Sequence, residues 1–193
     1  MIRASSAARS VALSVVALAL TASGVVGQQW DGSGPASGPY EIEIWKGRRE
    51  MVLREGARVV RRFQVALGYN PERSKQFQGD SRTPEGRYYV CEKRPQSSFY
   101  RFLGISYPNL DDAERGYVKG LISANEWADI FVPYLRREVP SWRTALGGRV
   151  GIHGLGGRYR VGDWTHGCIA VSDEEIDFLY HRVSVGTPVI INE

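Results

Sequence analysis

Residues 152–171 read IHGLGGRYRVGDWTHGCIAV and hold one of the two cysteines and two of the three histidines of the 193-residue chain. His153 lies near the start of this stretch, and His166 lies just before Cys168. A thiolate is a strong nucleophile, but a free thiol with a pKa of about 8.5 is mostly protonated at neutral pH. A nearby histidine can take that proton and leave a thiolate–imidazolium pair. The cluster therefore predicts a catalytic site with Cys168 as nucleophile.

Glycines around these residues predict that the site is built from loops. Gly167 directly precedes Cys168, so the backbone can approach a substrate closely there. The N–H groups of Gly167 and Cys168 could then face a developing oxyanion. Gly154, directly after His153, likewise allows a tight backbone path.

Three other interpretations remain open. In an exported protein Cys91 and Cys168 could form a disulfide, which would remove the nucleophile. His153, His166 and Cys168 could bind zinc, although they lack a clear fourth ligand and a recognised metal spacing, and we predict no metal or cofactor. One histidine could be purely structural, and His181, on a predicted late helix, best fits that description.

Outward from this stretch, most of the chain has the apolar pattern of β-strands. The strand candidates are residues 40–45, 51–53, 59–67, 87–91, 150–153 and 189–191. This pattern predicts a mainly β domain.

Helical signals are fewer. Ser123 and Glu126 have the spacing of a capping box, as do Ser172 and Glu175. Residues 111–119 could form a further short helix, and Pro133 is expected to kink the helix after Ser123. We therefore predict a helical insertion over residues 111–138 and one late helix.

The first 27 residues have the layout of a secretory signal peptide, with arginines, an apolar run at residues 11–20 and small residues before a cleavage site. Residues 28–39 are rich in Gly, Ser and Pro and predict a flexible linker. The predicted catalytic domain covers residues 40–193. We expect a periplasmic or cell-envelope protein with no stable membrane span after cleavage. The formal charge of +4 is scattered and indicates no nucleic-acid partner.

The chain resembles the L,D-transpeptidase catalytic domain, the YkuD-type family. His153-Gly154 and the block from Thr165 to Cys168 match its His-Gly and Thr-His-Gly-Cys signature. Residues 82–88, RTPEGRY, resemble its Thr-Pro-x-Gly segment, and residues 185–189, VGTPV, its last strand. The resemblance covers about residues 40–192. It implies a mixed-sheet, β-sandwich-like fold.

The same resemblance implies roles for the site residues. Cys168 would attack a diaminopimelate carbonyl in a peptidoglycan stem peptide, and His153 would be the base, oriented by a backbone carbonyl such as that of Gly154. His166 would support the site, and the backbone of Gly167 and Cys168 would bind the oxyanion. Stem peptides would be the partners, and substrate contacts are predicted at three further residues: Tyr107, Arg82 and Trp164.

The reaction stays open at this point. The gap between His153 and Thr165 is short for the family, and Ala170 stands where many members have Arg or Asn. Residues 163–165, DWT, followed by residues 167–171, GCIAV, resemble the YafK/DpaA-like branch of endopeptidases, and residues 106–109, SYPN, also fit that branch. We favour transfer to an amine, a transpeptidase, over hydrolysis that releases stem peptide or lipoprotein. A catalytically inactive wall-binding module is the third interpretation.

Overall fold

The computed structural model describes residues 38–193. The predicted signal peptide, residues 1–27, and all but the last two residues of the predicted linker, 28–39, lie outside the described residues.

In the described part of the chain, eight strands form one mixed sheet, in the order β3-β2-β1-β8-β4-β5-β6-β7. The pairs β1–β8 and β6–β7 are parallel, and the other neighbours are antiparallel. The strands are β1 (Tyr40–Trp45), β2 (Glu50–Glu55), β3 (Arg58–Gln64), β4 (Gly86–Ser97), β5 (Tyr100–Ile105), β6 (Gly151–His153), β7 (Ile169–Ala170) and β8 (Pro188–Asn192).

The chain that leaves β3 pairs with the opposite end of the sheet. Ala66 forms an antiparallel bridge with Ala170 of β7, and Gly68 a parallel bridge with Thr165. The N–H of each alanine donates to the other's carbonyl oxygen, at 2.9 and 2.8 Å. The sheet therefore curls, and residues 65–69 lie against the segment that carries Cys168.

Within residues 38–193, three helices accompany the sheet: α1 (Leu110–Val118), α2 (Ala124–Leu135) and α3 (Asp173–Tyr180). The capping boxes predicted at Ser123 and Ser172 are both present and begin α2 and α3. α1 has a third, begun by Asn109. Pro133 lies in the last turn of α2, so its missing N–H removes one intrahelical hydrogen bond close to the end of the helix.

The main core lies between the sheet and α3. Ile42 and Ile44 of β1, Val189 and Ile191 of β8 and Ile176 of α3 are buried in it. A smaller apolar cluster, which includes Ile130 of α2, lies between α1, α2 and Leu146. The prediction of a mainly β fold with a mixed sheet, a helical insertion and one late helix is confirmed.

Within residues 38–193, none of the helices has the length and apolar character needed to cross a bilayer.

Candidate active site

β6 and β7 bring the predicted base and nucleophile together. The two strands are parallel neighbours, with Ile152 opposite Ile169 and His153 opposite Ala170. Side chains alternate along a strand, so Cys168, two positions before Ala170, continues the same face of the sheet as His153. His153 and Cys168 line one cavity of about 450 Å³.

The imidazole of His153 is held on three sides. Its Nδ1 lies 2.7 Å from the carbonyl oxygen of Gly154, the contact predicted from the sequence. The ring stacks on Phe99 with centroids 4.6 Å apart and meets Trp164 edge-on at 5.6 Å. When Nδ1 carries the hydrogen and donates it to Gly154, the lone pair of Nε2 is available to accept a proton.

The electrostatics of the pair favour its neutral form. Burial raises the pKa of the Cys168 thiol to about 11, opposed by a hydrogen bond from the backbone of Gly151 and by the charge of Lys75. Burial also lowers the pKa of His153, opposed by the hydrogen bond to Gly154. Both shifts favour a thiol beside a neutral imidazole at rest, whereas the sequence predicts a thiolate–imidazolium pair.

Thr165 shapes the turn that presents Cys168. Its buried hydroxyl donates to the Cys168 carbonyl oxygen at 2.7 Å and accepts from the N–H of Gly167 at 3.0 Å. The expectation that the Gly167 N–H faces an oxyanion is corrected, because Thr165 already accepts from it. The Cys168 N–H remains our candidate donor.

Two glycines let three backbone segments meet behind Cys168. A Cβ on Gly68 would lie 2.2 Å from the carbonyl oxygen of Ser81, and one on Gly167 would lie 2.6 Å from that of Arg82. Gly167 has a φ of +128°, which side-chain-bearing residues rarely adopt. Its role is therefore to let the Cys168 turn pack against residues 81–82.

We expect Gly167→Ala to lower the free energy of unfolding by about 3 kcal/mol, because backbone strain and a backbone clash combine. Thermal unfolding monitored by circular dichroism measures the loss. Gly120→Ala is the matched control, since Gly120 also has a positive φ, +68°, but has no neighbour within 4 Å of an added Cβ. Equal destabilisation by the two changes would contradict the close-packing role of Gly167.

Gly154 is needed for contact with α3. A Cβ there would lie 2.3 Å from a carboxylate oxygen of Asp173, at the start of α3. The same carboxylate accepts hydrogen bonds from the N–H groups of Leu155, Gly156 and Gly157 at 2.6 to 2.9 Å. Asp173 thus fixes the chain just after His153.

His166 lies on the other side of the nucleophile. It is exposed and, with Cys168, lines a second cavity of about 440 Å³. Its ring meets Tyr69 edge-on, with centroids 5.7 Å apart. His166 therefore lies near Cys168, but it lines a different cavity from the one that His153 lines.

The three predicted substrate contacts do not line the two Cys168 cavities. Tyr107 is a correction: it is fully buried, and its hydroxyl donates to the carbonyl oxygen of Leu146. Trp164 packs against the ring of His153 and lines a separate cavity, so it holds the base in place. Arg82 lines neither Cys168 cavity and contributes its backbone, beside Gly167.

Phe99 and Asp173 were missed from the sequence. Phe99 lies in the turn between β4 and β5, and the sequence pattern did not predict that hairpin. Asp173 directly follows Ser172, the residue that begins a predicted helix. This position in the first turn was the one sequence feature that could have drawn attention to Asp173.

Of the alternatives for Cys168, neither the disulfide nor the zinc site is present in the described part of the chain. Cys91 and Cys168 are both free thiols, and Cys91 packs with Tyr89 and Tyr134 in its own cluster. Among residues 38–193, no three His, Cys, Asp or Glu side chains converge as metal ligands.

The family model of the L,D-transpeptidase catalytic domain, YkuD, matches residues 39–191. The match covers most of the chain and includes both residues of the candidate catalytic pair. The chain therefore belongs to the L,D-transpeptidase catalytic-domain family. No curated protein matches it in sequence.

Solved structures share the fold. The helical cell shape determining protein Pgp2 (K307A mutant) of Campylobacter jejuni is 20% identical with a TM-score of 0.54, covering 80% of this chain and 47% of Pgp2. Bd1075 of Bdellovibrio bacteriovorus is 21% identical with a TM-score of 0.51, covering 79% and 47%. An L,D-transpeptidase of Xylanimonas cellulosilytica is 17% identical with a TM-score of 0.47, covering 82% and 62%. The match thus spans between about half and two thirds of each of these chains.

Proposed function

We propose that this protein is a cysteine-dependent L,D-transpeptidase that acts on peptidoglycan stem peptides in the cell envelope. The observation that carries the proposal is the placement of His153 in β6 and of Cys168 directly before β7, the parallel neighbour of β6, so that both residues line one cavity. Membership of the family supports the substrate class. The predicted signal peptide supports an exported location.

In the proposed first step, Nε2 of His153 accepts the thiol proton as Cys168 Sγ attacks the carbonyl carbon of the L-centre of diaminopimelate. The Cys168 N–H stabilises the oxyanion of the tetrahedral intermediate. The intermediate collapses, the scissile C–N bond breaks, and His153 gives its proton to the leaving amine. The products of this step are a thioester on Cys168 and a free terminal residue.

In the second step an amine of another stem peptide attacks the thioester carbonyl. His153 takes a proton from that amine, a new amide bond forms, and the Cys168 sulfur leaves and regains a proton. Water in place of the amine would give hydrolysis.

Two cavities at one nucleophile favour transfer over hydrolysis. Cys168 and Arg149 line both the cavity that contains His153 and the cavity that contains His166. Each has a volume of roughly 440–450 Å³, which suits part of a peptide chain. A transferase needs room for an acyl donor and an acceptor on either side of its thioester, whereas a hydrolase needs room for one peptide and a water.

The neutral resting pair predicts the pH dependence of thiol reactivity. Because the Cys168 pKa is raised to about 11, the thiolate fraction should grow about tenfold per pH unit from pH 7 to pH 10. Alkylation by iodoacetamide, followed by intact-mass spectrometry, measures this rate, with Cys168→Ala used to subtract any reaction at Cys91. A rate that is flat between pH 6 and pH 9 would instead indicate a preformed thiolate–imidazolium pair.

Incubation of the mature protein with purified muropeptides, followed by mass spectrometry, tests the function. A cross-linked dimer with loss of one terminal residue is the expected product. A shortened stem or a released lipoprotein peptide without any dimer would favour the endopeptidase alternative. No change in the muropeptides would support the wall-binding module and contradict the proposal.

A further inference from the structure

Arg149 occupies a particular position beside the nucleophile. The thiol of Cys168 donates a hydrogen bond to the carbonyl oxygen of Arg149, with sulfur and oxygen 3.7 Å apart. The Arg149 side chain is exposed, and the residue lines both Cys168 cavities. Arg149 therefore borders both cavities and carries an exposed positive charge.

The backbone at Arg149 is strained for a residue with a side chain. Its φ is +55°, in the left-handed region, which costs a non-glycine residue about 1 kcal/mol. Gly147 and Gly148 precede it, so glycine would fit this turn at lower cost. A glycine at position 149 would avoid this cost but would lack the guanidinium group.

Arg149 also differs from the other cations of the two cavities. Lys75 is buried and paired with Asp80 at 2.8 Å, and Arg94 is paired with Glu92 at 2.7 Å. Among residues 38–193, no carboxylate pairs with the Arg149 guanidinium. Unlike Lys75 and Arg94, Arg149 is therefore free to bind an anionic group of a ligand.

We propose that Arg149 is a specificity-determining residue that binds the α-carboxylate next to the scissile amide, on the residue released from the acyl donor. This inference rests on the proposed function, which supplies a donor peptide with a free carboxyl end. That carboxylate is one residue beyond the carbonyl that Cys168 attacks. Because the Arg149 carbonyl oxygen contacts Cys168 Sγ, the carboxylate lies within reach of the Arg149 side chain. A planar guanidinium can bind it through two parallel hydrogen bonds.

A pair of small reagents tests the inference without any peptidoglycan substrate. Iodoacetate and iodoacetamide both alkylate Cys168 by forming a C–S bond as the C–I bond breaks, with iodide as the leaving group. They differ in carrying a carboxylate or a neutral amide beside the reacting carbon. The ratio of their rates on Cys168 therefore reports attraction of a carboxylate to the site.

We expect Arg149→Gln to lower the iodoacetate-to-iodoacetamide rate ratio about fivefold, the scale of a solvent-accessible ion pair. Arg149→Lys should restore part of the ratio, because it keeps the charge but loses the paired hydrogen bonds. Arg143→Gln is the matched control. Arg143 is exposed and lies outside both cavities, and its replacement removes the same charge. An unchanged ratio in Arg149→Gln, or an equal fall in Arg143→Gln, would overturn the inference.

The peptide arm uses stem tetrapeptides with a free or an amidated terminal carboxyl group. The wild-type protein should prefer the free acid by about tenfold in kcat/KM, mainly through KM, and Arg149→Gln should lose that preference. If the reagent ratio falls as expected but no muropeptide is processed, the carboxylate site stands and the proposed function fails. If muropeptides are processed with the same preference in both proteins, the carboxylate site is wrong and the function stands. A Cys168 that reacts with neither reagent would overturn both.

Discussion

Replacing Cys168 with alanine is expected to lower the turnover of a stem-peptide substrate by about 10³-fold or more, because no other group can form the thioester. The side chain is partly exposed at the edge of two cavities, so its loss should leave the fold intact. Product formation from muropeptides, measured by mass spectrometry, gives the rate, and circular dichroism checks the fold.

Cys91→Ser is the matched control for that change. It removes the other thiol, which lies buried in β4 beside Tyr89 and has a pKa raised by burial to about 12. Its activity should remain close to that of the wild type. Retention of more than a tenth of the wild-type rate by Cys168→Ala would contradict the assignment of the nucleophile.

His153→Ala is expected to lower turnover by roughly 10²- to 10⁴-fold, the usual loss when a general base is removed. The ring is buried, oriented through Nδ1 by Gly154 and stacked on Phe99, so Nε2 is the nitrogen left to take the thiol proton. The loss should appear in kcat, because the imidazole acts in the transition state. Steady-state kinetics on a stem tetrapeptide measures it.

The other two histidines supply the comparison. His166 lines a cavity without holding a position next to His153, so His166→Ala should cost less. His181 ends α3, is 61% exposed and lies 3.7 Å from Asp177, so His181→Ala should be nearly silent. Comparable rates for all three variants would remove the basis for calling His153 the base.

The fold was predictable where local patterns are strong. Ser123 and Ser172 mark two helix starts because their capping boxes depend on residues three positions apart. β5 and β7 were not predicted, for physical reasons. Gly104 interrupts the apolar pattern of β5, and β7 has two residues, too few for any period.

The end of β3 depends on tertiary structure. The sequence predicts one strand through Leu67, but the strand ends at Gln64 and the chain crosses to β7. Val65 and Leu67 are buried although the strand has ended, so their hydrophobicity alone does not distinguish a longer strand from the observed crossing. Pairing with a distant strand decides the outcome.

At the site, the sequence predicted which residues lie near one another better than it predicted what surrounds them. Cys168, His153 and Gly154 are rare or distinctive enough in position to be recognised along the chain. The substrate-contact prediction for Tyr107 is wrong because an aromatic residue in a loop can equally be a core residue, and here it is. Arg149 contacts Cys168 through its backbone, and Phe99 stacks on His153. Both contacts join distant segments of the chain, so they become visible only when the strands are assembled.

The central claim is that Cys168 becomes acylated by the stem peptide. The most direct measurement is acid-quenched intact-mass spectrometry of the protein mixed with a stem tetrapeptide. The account predicts a single adduct with the mass of the donor acyl group without its terminal residue, located at Cys168 and absent from Cys168→Ala. Turnover of the tetrapeptide with no covalent adduct, or an adduct that persists in Cys168→Ala, would contradict it.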